Sequence, residues 1–571
     1  MRPITLGFTL VLGVFVLVVG MGTATSRVFL KNIVPNMGPA PAFSNVAPAP
    51  PPPPTGANWY LSLTGSDANN GTTPAAAWAT PNHAGLTCGD IIHVATGTYT
   101  TQFQSITQAV ICPNSDNVVW LKCNTAFACK ITGAPALKFQ ASYWGVQGFE
   151  VDNIGNVCFS ATPAGSANIG YIAFANNIAS GCTIAGIDTF NTGSFSVDNI
   201  AIIGNAAYNS ANSTLCGSGM SVGSPRNDAT ANHRVYVAWN ISWHNTVTRC
   251  LSSNATTNAV TAAGSAILHF ASSQSAQGFE VIDVTTPSAI PANTEITSGA
   301  GVNLTMSANA AGPGVGSGDT ITFSQNSDNT GLSFDTWGNY TGTGVVENNL
   351  FIGNGTSGLE ALGTNGATCA PTVIRYNTIA DNVIMPNAYG GSAASSEMAL
   401  GGGLNDACMT VLYNVAKNIR SAPVCVGCRA KGMAFGPGDA SPTTSTMDNN
   451  FLFSSVTNVG VTYWGNATSC LSPHTSPVGP FTNTDNAGCS GNSFTTDPVF
   501  VSETVPGAPS CAGHPTVADC MATAWANWKA TNATAAAWGH TNAAPTDSNN
   551  NTPFLCNIYH AIPTGIVPSR C

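Results

Sequence analysis

Charge is what this chain has least of. Only 7% of its 571 residues are Asp, Glu, Lys or Arg, against roughly 25% in an ordinary soluble protein. The net charge is −10 and no basic stripe exists to neutralise phosphates, which argues against a nucleic-acid partner. No lysine falls between Lys138 and Lys417, so the middle of the chain has no lysine to serve as a base. Neither His-x-His nor His-Glu-x-x-His occurs, which removes the usual histidine-built metal centres. A phosphate-cradling Gly-x-x-x-x-Gly-Lys-Ser/Thr loop is also missing. Beyond residue 24 no stretch is long and apolar enough to span a bilayer.

What is present is apolar and turn-forming. The hydrophobic fraction is 43%, enough to bury a substantial core, and Asn, Ser, Thr and Gly stand where Lys and Glu usually do. That mix favours strands and turns over helices. Arg2 precedes an apolar run from Ile4 to Met21, followed by the small residues Gly22-Thr23-Ala24. Residues 1–24 are therefore expected to be a secretory signal or an uncleaved membrane anchor. Residues 25–58, with the unbroken prolines Pro50 to Pro54, form a stiff, extended linker. The expected location is secreted or cell-surface. An even count of 18 cysteines then favours disulfides over metal or redox chemistry.

The folded part begins at Trp59. A strand and polar loop over Tyr60–Thr72 precede a Gly-Asp strand over Gly89–Tyr99. Both halves resemble the N-terminal cap of secreted right-handed parallel β-helix proteins, the pectate-lyase-like superfamily. Further on, short apolar runs end in Asn and restart at once, around Asn205, Asn240, Asn349, Asn377, Asn414 and, more weakly, Asn450. With one insertion set aside, successive asparagines are 28 to 37 residues apart, the mark of a solenoid. Coils stacked one strand spacing apart (~4.8 Å) bury a continuous apolar column. A corner Asn tolerates left-handed backbone and can bond its counterpart on the next coil. The same stacking brings Cys158 and Cys182 within disulfide reach. The expected fold is all-β: a right-handed parallel β-helix over residues 59–255 and 326–500, with terminal caps.

Residues 256–325 interrupt the repeat with alternating strands and Gly/Pro turns. Around Ala289–Ile296 they resemble a small all-β module of bacterial and phage surface proteins. Asn492–Val501 resembles the Asp-Pro-x-Phe strand that closes many β-helices. Residues 501–571, rich in Trp and Cys, read as a disulfide-rich C-terminal cap over the last coil, whose open edge invites aggregation.

Gly217–Asn245, together with the stretch from Asp328 to Glu360, resembles a subset of exported bacterial β-helix proteins. Asp228, His233, Asp328, Gly331, Asp335, Glu347, Asn348, Asn349, Asn354, Gly355 and Gly358 fall on its pattern. Asn329-Thr330 depart from it, and Glu360 sits where it varies. The broader family includes polysaccharide lyases that use Ca²⁺ held by Asp and Glu on the helix flank. The resemblance thus implies Asp328, Asp335 and Glu347 as calcium ligands and catalytic acids. β-Elimination also needs a base near the sugar; the arginines to hand are Arg226, Arg234, Arg249 and Arg375, of which Arg249 and Arg375 are the candidates carried forward. Trp243, His244, His233 and Glu360 are the candidate substrate-binding residues. Each has a structural alternative. The aspartates cap turns, Glu347 is a buried ladder member, and the tryptophans are core. Two functions follow. One is an extracellular protein acting on or binding an acidic polysaccharide, as a lyase or glycoside hydrolase if catalytic. The other is a non-catalytic adhesin, envelope component or receptor-binding fibre.

Overall fold

The computed structural model describes residues 56–540 and 553–561, apart from 114–116, 153–154, 166, 191–194, 211–216, 224–233, 246–250, 277–278, 292–293, 299, 326–328, 336–341, 363–371, 383–395, 402–408, 419–430, 436–445, 455–492 and 494–495. The signal or anchor (1–24) and residues 25–55 of the linker lie outside them. Among the described residues no helix is long and apolar enough to cross a membrane.

Between Val119 and Phe435 each coil contributes one strand to each of three long sheets, and the coils at either end contribute fewer. In a representative coil, Val197–Ile203 lies in the first sheet, Ala206–Tyr208 in the second and Ser218–Gly223 in the third. The sheets hold 11, 10 and 8 described strands, and every pairing within them is parallel and in register from coil to coil. This is a right-handed parallel β-helix, the hand that parallel crossovers adopt. Alternation along each strand sends every second side chain inward. One inward column runs Val146, Phe174, Ile202, Val237, Val346, Ile374 and Val411, all buried. Each such side chain contributes about 1.5–3 kcal/mol relative to exposure.

The corner between the first and second sheets is held by asparagine, as the repeat predicts. Asn177, Asn205, Asn240, Asn349, Asn377, Asn414 and Asn450 form one continuous ladder. Each of the first six donates its backbone N–H and Nδ2 to the next Oδ1 at 2.9–3.1 Å. The residue before each is left-handed: Asn176, Gly204, Trp239, Asn348, Tyr376, Tyr413 and Asn449 all have φ between 54° and 69°. A bulky Trp or Tyr adopts that backbone at a cost of order 1 kcal/mol, which the ladder and ring stacking offset. Tyr376 and Tyr413 stack at 5.1 Å.

A second ladder, five residues further on, was not foreseen. Asn245 donates to Asn354, Asn354 to Asn382, and Asn382 to the carboxylate of Glu397. Here too the preceding residue is left-handed, at Asn209, His244, Gly353 and Asp381. Glu397 thus stands where the next asparagine would, fully buried. Desolvation holds its carboxyl well above the ordinary range, with the Asp381 charge adding to the effect. The native state therefore keeps a proton that the unfolded chain loses near pH 4.5. Stability from this group is complete below that pH and is lost as pH rises toward the folded value. Glu397→Gln is expected to match wild type in denaturant midpoint near pH 4 and exceed it at pH 8; an unchanged gap between the two pH values would refute the assignment.

The insertion is an antiparallel module. Leu251–Thr256, Thr320–Gln325 and Glu280–Asp283 form a three-stranded sheet, and Ile267–Ser275 pairs with Ala300–Thr305. It has its own core around Leu268, Phe270, Val281, Ile296, Leu304 and Phe323. Cys158 and Cys182 form a disulfide, as do Cys88 with Cys112, Cys123 with Cys129 and Cys511 with Cys520.

The described part of the C-terminal segment packs laterally, along the outer faces of two sheets. Trp525, Trp528 and Val517 pack on the outer face of the second sheet, against Ile241, Trp243, Leu350 and Ile352. Val517 N–H donates to Asn176 Oδ1 and Gly539 N–H to Tyr413 O, so the segment runs along many coils. Lys417 pins it, paired with Asp497 at 2.7 Å and with Glu503. The helix Pro553–Ala561 covers the outer face of the first sheet with Phe554, Leu555, Ile558 and Tyr559. Both sheet faces are rich in outward apolar residues, so burying them there stabilises more than covering one short edge would.

Candidate functional site

Among the described residues the outer faces of the first and second sheets are covered by the C-terminal segment, and an open surface lies on the third sheet. Its register aligns an outward column of Lys138, Ser160, Asp188, Ser221, Ser333, Glu360 and Ala399, one residue per coil. The flanking inward positions are apolar: Phe159, Ile187, Met220, Val222, Leu332 and Phe334 belong to the core. Local sequence explains the split, since Ile187-Asp188 and Met220-Ser221-Val222 alternate core with polar positions. Over this column lies a cleft of about 450 Å³, lined by Lys138, Ser160, Asp188, Ser221 and Ser333, with Pro135, Val157 and Phe190 among its walls. Asp188 is 9% exposed and Phe190 53% exposed. The floor thus presents hydroxyls and one carboxylate at successive strand spacings of ~4.8 Å, beside an accessible aromatic ring.

Ser221 stands in Gly219-Met220-Ser221-Val222-Gly223, a Gly-x-Ser-x-Gly string. Here it lies along a strand, without the strand-to-helix turn that makes such a string a nucleophile elbow. Ser221 is therefore part of the binding floor.

The residues singled out from the sequence are dispersed. Asp328, His233 and Arg249 lie outside the described residues. Asp335 ends the strand Thr330–Asp335 of the third sheet, its backbone paired with Gly223 beside the cleft; its side chain is outside the described set. Glu347 and Arg375 lie on the first sheet, where their strands pair them directly. Glu347 is fully buried and Arg375 nearly so. Arg375 Nε donates to Glu347 Oε2 at 2.8 Å, Tyr236 donates its hydroxyl to Glu347 Oε1, and the Tyr236 and Tyr559 hydroxyls meet at 2.5 Å. The pair is a clasp beneath the C-terminal helix, and no substrate reaches it there. Asp335 and Glu347 lie on strands of different sheets, and Asp328 lies outside the described residues. Among the described residues no group of three Asp, Glu, His or Cys side chains could hold a metal ion.

Trp243 is fully buried and stacks on Tyr208 at 4.4 Å, so it is core rather than sugar platform. His244 occupies a left-handed corner with φ 51° and donates its backbone N–H to Gly353 O. Glu360 does fall in the cleft's register column but is fully buried. Of the substrate-binding candidates it alone shares that column among the described residues. Lys138, Asp188, Phe190 and Ser221 were missed.

No protein-family model matches the chain, and no curated protein matches it. Similar solved structures include a pectate lyase, 14% identical over 67% of this chain and 81% of that one, with a TM-score of 0.29. A rhamnogalacturonan lyase is 13% identical over 69% and 87%, TM-score 0.30. The A-module of an Azotobacter vinelandii mannuronan C-5 epimerase is 12% identical over 66% and 89%, TM-score 0.27. The parallel β-helix assignment itself rests on the strand register above.

Proposed function

We propose that this protein is an exported carbohydrate-binding β-helix whose third-sheet cleft holds a segment of an acidic extracellular polysaccharide. The observation that carries the reading is the open cleft, with its hydroxyl-lined floor and exposed Phe190 on one wall. Hydroxyls and a carboxylate suit the polar edge of a sugar, an aromatic face suits its C–H face, and Lys138 supplies a cation for a uronate. The disulfides favour an oxidising compartment, consistent with residues 1–24 acting as signal or anchor. The polysaccharide-acting names of the similar structures accord with this reading but do not carry it.

Turnover of the bound chain is the second reading. It is favoured by Asp188 and Lys138 standing on one floor two strand spacings apart, about 10 Å. The test is calorimetric titration of the full chain with a panel of uronate polymers, alongside absorbance of the unsaturated product. Phe190→Ala is expected to weaken binding about 2- to 12-fold, the equivalent of ~0.5–1.5 kcal/mol. Asp188→Asn is expected to abolish any turnover while binding persists. Binding without product would leave the adhesin or surface-fibre role. No binding to any polymer, or binding unaffected by Phe190→Ala and Ser221→Trp alike, would sink the cleft as the site.

A further inference from the structure

The C-terminal segment meets the second sheet along an outward column whose register runs Ile241, Leu350, Thr378, Val415 and Phe451. All five are buried, and Thr378 is the one polar side chain among them. His540, 2% exposed, is seated on it. The preceding residue, Gly539, is left-handed with φ 76°. A Cβ there would stand 2.7 Å from the Thr378 hydroxyl, so glycine is what lets the backbone approach this closely.

Both ring nitrogens of His540 are engaged. Nε2 lies 2.9 Å from the Trp525 carbonyl of the helix Ala522–Asn527, and a carbonyl only accepts, so Nε2 carries the proton. Nδ1 then accepts from the Thr378 hydroxyl at 2.7 Å, whose oxygen in turn accepts the His540 backbone N–H at 3.2 Å. Asn348 Nδ2 donates to the His540 carbonyl at 3.4 Å. The arrangement fits a neutral ring. A second proton, on Nδ1, would meet the hydroxyl hydrogen and leave a full charge in an apolar interface. No acid is there to compensate it. The ionisable groups of the facing corners are Tyr376, Tyr413, Asp381 and the Glu347–Arg375 pair, and the ring bonds none of them. From its own segment Lys529 opposes a further positive charge.

We propose that His540 is an acid-sensitive latch: while neutral it seats the C-terminal segment on the second sheet, and its protonation releases that segment and bares the apolar column. Burial holds the seated imidazole down at about 4 against an ordinary 6.5, with the Lys529 charge adding to the effect and the bond to the Trp525 carbonyl opposing it. A detached His540 takes up its proton near 6.5, a seated one only near 4. Attachment is therefore complete above about pH 6.5 and weakens as pH falls toward 4. The latch is independent of the third-sheet cleft and of any carbohydrate.

The test is hydrogen exchange of the full chain between about pH 7.5 and pH 5, corrected for the intrinsic pH dependence of amide exchange. Opening of residues 517–528 and 539–540 is expected to grow about 30-fold over that range, with the slope of one proton setting in near pH 6.5. Protection of the strand Arg234–Ala238 should hold throughout. The onset and slope are read on wild type alone, so they stand even where a variant fails to fold. His540→Gln, which keeps an amide donor and acceptor but does not titrate, is expected to flatten the profile. Equal corrected rates at both ends of the range would overturn the latch. So would loosening kept in full by folded His540→Gln, which would assign it to the pairs of Lys417 with Asp497 and Glu503. Parallel loss of protection in Arg234–Ala238 would mean that the whole β-helix opens, and equally overturn it.

Discussion

Asn349→Ala is expected to destabilise the β-helix by about 3–5 kcal/mol, read as a fall in urea midpoint with unchanged slope. Asn349 is fully buried. Its Oδ1 receives both the backbone N–H and the Nδ2 of Asn240, and its Nδ2 reaches Val237 O, Glu347 O and Asn377 Oδ1 at 3.0 Å each. Truncation leaves the Asn240 N–H and the Val237 carbonyl buried beside a cavity without partners. An orphaned buried group costs about 1–3 kcal/mol, and two or three are created at once. The apolar column contributes little to the difference, because the substitution leaves Val237 and Val346 in place. A loss under about 1 kcal/mol would mean that water enters and serves the corner, and the ladder would then be decoration on a fold held by its core alone.

The ladder was the most legible feature because each coil poses the same problem at the same place. A left-handed residue followed by an inward polar side chain is needed at every corner, and Asn answers it each time. The second ladder was harder to read because its ends change identity. Ser210 donates into it by backbone alone, and Glu397 closes it. Only Asn245, Asn354 and Asn382, each five residues after a first-ladder asparagine, carry the pattern in full. The acids misled for a different reason. In a chain so poor in charge they are conspicuous, yet rarity says nothing about which way a side chain points. Glu347 and Arg375 each stand two residues before a ladder asparagine, Asn349 and Asn377. That shared offset already implied neighbours on adjacent coils, an ion pair rather than a dispersed site. The cleft was illegible because its residues keep no fixed distance from the ladder. Eleven positions lead from Asn177 to Asp188 but sixteen from Asn205 to Ser221, the loops between absorbing the difference. The burial of the tail's tryptophans along the second sheet had no local signal either, since a flank and an open end both ask for aromatic cover.

Arg375→Met tests the corrected role of that pair, with an expected loss of about 3–5 kcal/mol. The substitution keeps most of the side-chain volume but takes the guanidinium away from the Glu347 carboxylate, which is fully buried beneath Tyr559 and the C-terminal helix. The Tyr236 hydroxyl also donates to that carboxylate, but a neutral donor does not replace a guanidinium. Hydrogen exchange over Pro553–Ala561 should accelerate, because the helix then covers a buried carboxylate that has lost its guanidinium. The double variant Glu347→Gln with Arg375→Met should recover most of the loss, since removing both charges of a buried pair is often close to neutral. The same variants separate a structural clasp from a catalytic one. A reacting Arg375 and Glu347 would lose turnover with an unchanged denaturant midpoint, and no second substitution would restore it. A clasp loses stability first, recovers it in the double variant, and leaves polymer binding at the third-sheet cleft as it was. Loss of binding in the folded double variant would return the first sheet to consideration as a working face.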